Sequence, residues 1–175
     1  MEKINTVVAV YSTHAQAEEG IAAFKSSGFD MKKLSIVGKD YHSEEHVIGF
    51  YNAGDRMKFW GKRGAFWGGF WGMLFGSGLF LIPGVGHIMV LGPLVTWIVG
   101  ALSEAVVVGG LTALGAGLYS IGIPKDSILR YETALKADRF VVVAHGTIEE
   151  VTTAKEILKR TNPLSVDEHR VPAAA

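Results

Sequence analysis

Apolar and polar residues follow one another along this chain in three blocks of different character. In the first, residues 5–11 (NTVVAVY) form a β-branched run that predicts a strand, and Thr13 with Gln16 predicts a capping box at the start of a helix. Ala17, Ile21 and Phe24 share one face of that helix, and Gly28 stands where a left-handed C-terminal cap is wanted. Residues 34–37 and 47–51 predict two more strands, joined by the polar link 39–45. In the last block Pro124 suits a first helical turn, and Ile128, Tyr131 and Leu135 recur at helical spacing before a strand at 140–144. Thr147 and Glu150 predict a second capping box. The helix it opens carries Val151, Ala154 and Leu158 on one stripe and stops at Asn162-Pro163. Residues 163–175 read as a disordered tail.

The strand-plus-helix unit VVAVYST resembles FVVVAHGT, with Thr13 and Thr147 at equivalent places, which suggests an internal pseudo-repeat. Joined across the middle of the chain, the order β-α-β-β-α-β predicts an α+β fold, a ferredoxin-like split βαβ module with one extra C-terminal helix. Its first half is expected in residues 1–53 and its second in 123–162. Between them, 54–122 reads as a glycine-rich hydrophobic helical hairpin, expected to be transmembrane.

Hydropathy is the reason for that last expectation. From Gly64 to Ser103 there is no Asp, Glu, Lys or Arg, and as far as Ile123 there is only Glu104. Surface helices of water-soluble proteins are not so poor in charge. The breaker Pro83-Gly84-Val85-Gly86 divides the run and leaves 64–82 as a helix of about 28 Å, long enough for a hydrocarbon core. Two spans with a turn at 83–87 are favoured, and a third is conceivable. The strands on either side must share one sheet, so both flanks must lie on the same side of the membrane and the number of crossings must be even. Arg56, Lys58, Lys62 and Arg63 place the flank, and the α/β module, on the cytoplasmic side of the inner membrane. Gly64, Gly68, Gly72 and Gly76 form a ridge for close helix packing, and Gly92 with Gly100 and Gly109 with Gly117 repeat the small-residue spacing. Trp60, Trp67 and Trp71 read as interfacial anchors, Glu104 as the interfacial end of a span or an intramembrane acid, and His87 as a polar cap in the turn. Glycine ridges also pack helices in water-soluble assemblies, so burial within an oligomer is the competing reading.

Charge and composition then remove several kinds of chemistry. The formal net charge is zero, so no global basic field favours nucleic acid. With no cysteine, disulfides, thiolate metal sites and cysteine nucleophiles are excluded. His42 and His46 match an H-x-x-E-H spacing, but in a polar link with no third ligand, so no metal is expected. Gly84-Val85-Gly86 and Gly115-Ala116-Gly117 lack the full dinucleotide spacing and read as turn and packing glycines. No nucleophile elbow or phosphate loop is present, and His14 and His145 would approach one another only if the two repeat halves align. No catalytic residue and no cofactor are predicted.

The segments VVAVYSTHAQAEEGIAAF, KRGAFWGGFWGMLFG and GIPKDSILRYETALKADRFVVVAHG together resemble bacterial general stress protein modules and small membrane proteins that share the glycine-rich insert. The resemblance implies stress-linked expression and membrane association, and no reaction. The expected function is therefore that of a non-enzymatic membrane protein. It would bind lipid, self-associate through its glycine ridges, and display the module as a binding or sensing surface. An oligomeric solute path and a small-ligand regulatory module are the alternatives.

Overall fold

A computed structural model of the chain describes residues 4–39, 77–103 and 111–171. Strand β1 (Asn5–Tyr11) leads into helix α1 (His14–Ser26), then a short 3-10 turn (Met31–Lys33) and β2 (Leu34–Lys39). A hairpin follows, β3 (Ser77–Ile82) and β4 (Gly86–Leu91), and then helices α2 (Leu94–Ser103), α3 (Ala113–Ser120) and α4 (Lys125–Lys136). The chain closes with β5 (Phe140–Gly146), helix α5 (Ile148–Lys159) and β6 (Ser165–His169). All six strands form one sheet in the order β3-β4-β2-β5-β1-β6, with every neighbouring pair antiparallel. The fold is thus mixed α+β on a single antiparallel sheet.

Local chemistry fixes the helices that frame β1 and β5. Thr13 accepts the Gln16 N–H and caps α1, while the Gln16 side chain bonds the Ser12 hydroxyl instead of closing a reciprocal box. Gly28, at φ +74°, ends the helix, with the Phe29 N–H reaching back to the Phe24 carbonyl. At α5 the box is complete: Thr147 accepts from the Glu150 N–H, and the Glu150 carboxylate accepts from the Thr147 N–H. Tyr11 ties the two units together, its hydroxyl 2.6 Å from the Thr161 hydroxyl just past α5.

These segments build the module with a different assignment from the one the sequence suggests. Strand β5 lies between β1 and β2, and β1 lies between β5 and β6, so β1-α1-β2 and β5-α5-β6 are two interleaved split crossovers. Helix α5 belongs to the module, and the fourth strand comes from residues 165–169, where a disordered tail was expected. Only Val166 in SVDEH carries a large apolar side chain, so hydropathy gave no strand signal, yet an edge strand needs none. The expected strand at 47–51 lies outside the described residues.

The larger correction concerns the helical hairpin. Residues 77–91 form a β-hairpin instead, with Pro83-Gly84 at its tip, Gly84 at φ +79°, and the Val85 N–H bonded to the Ile82 carbonyl. The breaker does mark the reversal, but the chain on both sides of it is extended. Strand β4 is buried on both faces, Ile88 and Val90 on one and Met89 and Leu91 on the other, so its apolar run lacks the alternation that separates strand from helix. Among the described residues no helix is long and apolar enough to cross a membrane.

The sheet has two hydrophobic faces. Helices α1 and α5 cover the first, on which Val7, Ala9, Tyr11, Val142 and Ala144 meet Phe24, Val151 and Leu158. Helices α2, α3 and α4 cover the second, on which Val8, Val10, Val141 and Val143 meet Ile98, Leu118, Ile128 and Leu135.

Candidate functional site

The second face changes character at one end of the sheet. Cross-strand register sets Thr6 directly opposite His145 on β5 and His169 on β6. Strand alternation turns all three toward the same side as Val8 and Val143. A polar row therefore crosses three strands beneath an otherwise apolar helical layer. Trp97 of α2 stands edge-on to His145, ring centroids 4.6 Å apart. Tyr131 of α4 places its hydroxyl 2.7 Å from Nε2 of His169. Arg130 lies over the Tyr131 ring at 5.9 Å and 3.6 Å from the Asp167 carboxylate.

Thr6 is fully buried, and neither its Oγ1 nor Nδ1 of His145 has a well-formed hydrogen bond. Burial lowers the His145 pKa to about 4, and the Lys33 ammonium adds to the shift, against the Lys33 backbone, Glu150 and Asp30. Burial also lowers His169, with Asp167 opposing, and raises Tyr131, with Asp167 reinforcing. Both partners of the Tyr131–His169 bond are thus neutral near pH 7. Thr6 is bonded to neither imidazole, and the Glu150 carboxylate is held by Lys33 at 2.5 Å, so no nucleophile, base and orienting group are linked. What the row does chemically is latch the helical layer to the sheet through neutral imidazoles. Among the described residues no group of His, Asp and Glu is arranged to hold a metal.

His14 does not join the row. It packs on Phe140, at the opposite end of β5 from His145. Thr6, Trp97, Tyr131 and His169 were not singled out from the sequence as site residues. For Thr6 and His169 the only sequence signal is a polar residue at an inward strand position, legible once the register is known.

Three of the glycines expected to pack helices in a membrane lie among the described residues, and each has a different role. Gly92 ends β4 at φ +102°, and a side chain there would run into the Leu34 carbonyl and Ser35, so it is a turn glycine and not part of a helix ridge. Gly100 lies in α2 with no described atom within 4 Å of where its Cβ would stand, so it packs against nothing described. Gly117 does bring helices together, since a Cβ there would stand 2.5 Å from Ile98 of α2. Gly115 turns toward Ile128 of α4, so α3 is wedged between α2 and α4 on two glycines. His87 belongs to β4, opposite Leu81, and is no cap in a membrane turn. Gly64, Gly68, Gly72, Gly76, Gly109, Trp60, Trp67, Trp71, Arg56, Lys58, Lys62, Arg63 and Glu104 lie outside the described residues, as do His42 and His46.

No curated protein and no solved structure matches the chain. Residues 6–80 match the family described as the heat induced stress protein YflT domain, a stretch that runs from β1 through α1 and β2 into β3. The chain therefore carries a module similar to that of a heat-induced stress protein.

Proposed function

We propose that this is a non-enzymatic stress-type protein that holds a ferredoxin-like module against a membrane surface through residues 56–76. One observation carries the reading: the segment 40–76 leaves and rejoins the same edge region of one sheet. Lys39, Ile88 and Phe80 are aligned across β2, β4 and β3, and Ser77 lies three residues along β3 from Phe80. The two attachment points are therefore about 14 Å apart, from strand spacing and rise. A return trip across hydrocarbon needs two apolar runs of about 20 residues and a turn, more than 40–76 supplies, and residues 40–63 carry Asp40, Glu44, Glu45, Asp55 and four basic residues. The later half of the apolar insert is committed to β3, β4, α2 and α3.

Arg56, Lys58, Lys62 and Arg63 beside Trp60, Trp67 and Trp71 have the composition of an element lying in the headgroup region, basic charge facing anionic lipid and aromatic rings at the boundary. With Gly92 and Gly117 engaged inside the chain, self-association rests on Gly64, Gly68, Gly72 and Gly76. The strand order β6-β1-β5-β2 is the ferredoxin-like arrangement and supplies the body that is displayed.

Fractionation of cells expressing the full chain tests the proposal. Sedimentation with membranes, release by alkaline carbonate, and loss of sedimentation on reversing the charges of Arg56, Lys58, Lys62 and Arg63 are expected. Retention in carbonate-washed membranes would restore the spanning hairpin, and absence from membranes would remove the proposal.

A further inference from the structure

The two ends of the sheet differ in charge. Helices α4 and α5 both run toward the end where β1 and β2 finish, because each connects to the sheet there: the Lys39 ammonium donates to the Lys136 carbonyl at 3.2 Å, and Thr161 bonds Tyr11. Their C-terminal turns bring Lys136, Arg139, Lys159 and Arg160 to this end, all exposed. Two exposed apolar side chains join them, Leu81 beside the β3–β4 turn at 65% and Leu164 before β6 at 54%. Among the described residues, Asp138 accepts from Lys39 at 3.0 Å here, and Glu156 lies 3.8 Å from Lys159. Glu18 and Glu19 stand a turn further up α1. The opposite end carries Asp30, Asp126, Glu149 and Glu150 among its lysines.

We infer that the end formed by the β3–β4 turn and the C-termini of α4 and α5 docks on an anionic lipid surface. The inference rests on the membrane association proposed above and adds which face of the folded body meets the lipid. Exposed cations between two protruding leucines, one at either edge of the sheet, complement an anionic headgroup layer with an apolar floor. The surface also includes Lys39, where β2 ends. Basic side chains at the C-termini of two helices also stand where the helix dipole favours them.

Co-sedimentation of the full chain with phosphatidylcholine vesicles, with and without phosphatidylglycerol, tests it. Wild type is expected to bind only the anionic vesicles. The variant Lys136→Glu/Arg139→Glu/Arg160→Glu should lose at least about 100-fold in partitioning, at about five-fold per basic residue. Lys32→Glu/Lys125→Glu at the other end should match wild type, and circular dichroism should be unchanged in both. If the triple variant binds like wild type while reversal at 56–63 abolishes binding, the docking face is wrong and the proposed function stands. If wild type binds no vesicle, both fall. A dimer in solution that the triple variant makes monomeric, without vesicle binding, would assign this surface to a second copy and overturn the inference.

Discussion

The helices on the first face of the sheet and those on the second solve the same packing problem with different chemistry. Helices α1 and α5 are amphipathic, start at threonine caps, and turn Ala17, Ile21, Phe24, Val151, Ala154 and Leu158 inward under a charged outer surface. Helices α2 and α3 contain no charged residue and pack on each other through a glycine, leaving Val99 and Tyr119 exposed. The first layer is specified by side-chain pattern, the second by close backbone approach. A helix that is apolar all round needs cover on its outer side as well as its inner side.

The sharpest way to test the contrast is to remove buried volume from each layer. Leu158→Ala, at a fully buried site of the first layer, should cost about 2–5 kcal/mol and lower the unfolding midpoint of the whole molecule in a denaturant titration. Leu118→Ala is expected instead to speed hydrogen exchange selectively in α2 and α3. Equal loss of protection in α5 would mean that the two layers unfold as one.

Adding volume to the second layer ranks next. Gly117→Val would force a side chain against Ile98 and should destabilise by about 1–3 kcal/mol, with smaller movement of α5 amides. Capping chemistry then compares the helices of the first layer with each other. Thr147→Ala, which breaks a reciprocal box, should cost about 1 kcal/mol, and Thr13→Ala less, since Gln16 bonds Ser12 instead. Equal losses in chemical denaturation would show that the second arm of the box contributes nothing.

The smallest effect is pH dependence. His145 is held neutral in the folded protein, whereas the unfolded chain takes up its proton near pH 6.5. Its contribution is fully present above about 6.5 and is lost as pH falls toward about 4. The thermal midpoint should therefore decline over that range, and His145→Gln should flatten the slope in part, because His14 and His169 are lowered as well. Glu150, lowered chiefly by its bond to Lys33, acts in the more acidic window below the ordinary carboxylate value. An unchanged slope in His145→Gln would dissolve the proposed latch between sheet and second layer.

The elements with a clear local signal, a β-branched run, a helical stripe or a cap, were legible in the sequence. Strand β1, α1, β5, α4 and α5 all show periodicity or caps, and the likeness of VVAVYST to FVVVAHGT corresponds to the two interleaved crossovers. The insert was not legible, because β4 is buried on both faces and its run of apolar residues fits a helix as well as a strand. Strand β6 failed for the opposite reason, too few apolar residues to register. The polar row was hidden because Thr6, His145 and His169 are far apart in the chain and become neighbours only through strand register.

Because β5 sits between β1 and β2, the first two strands of the chain have no hydrogen-bonding contact with each other. A ribosome must therefore release residue 146 before β1 and β2 can be joined through β5, whereas β2, β3 and β4 can pair once residue 91 has emerged. Half of the sheet, β3-β4-β2, can therefore form early, while β1 waits for β5 and β6 from the end of the chain.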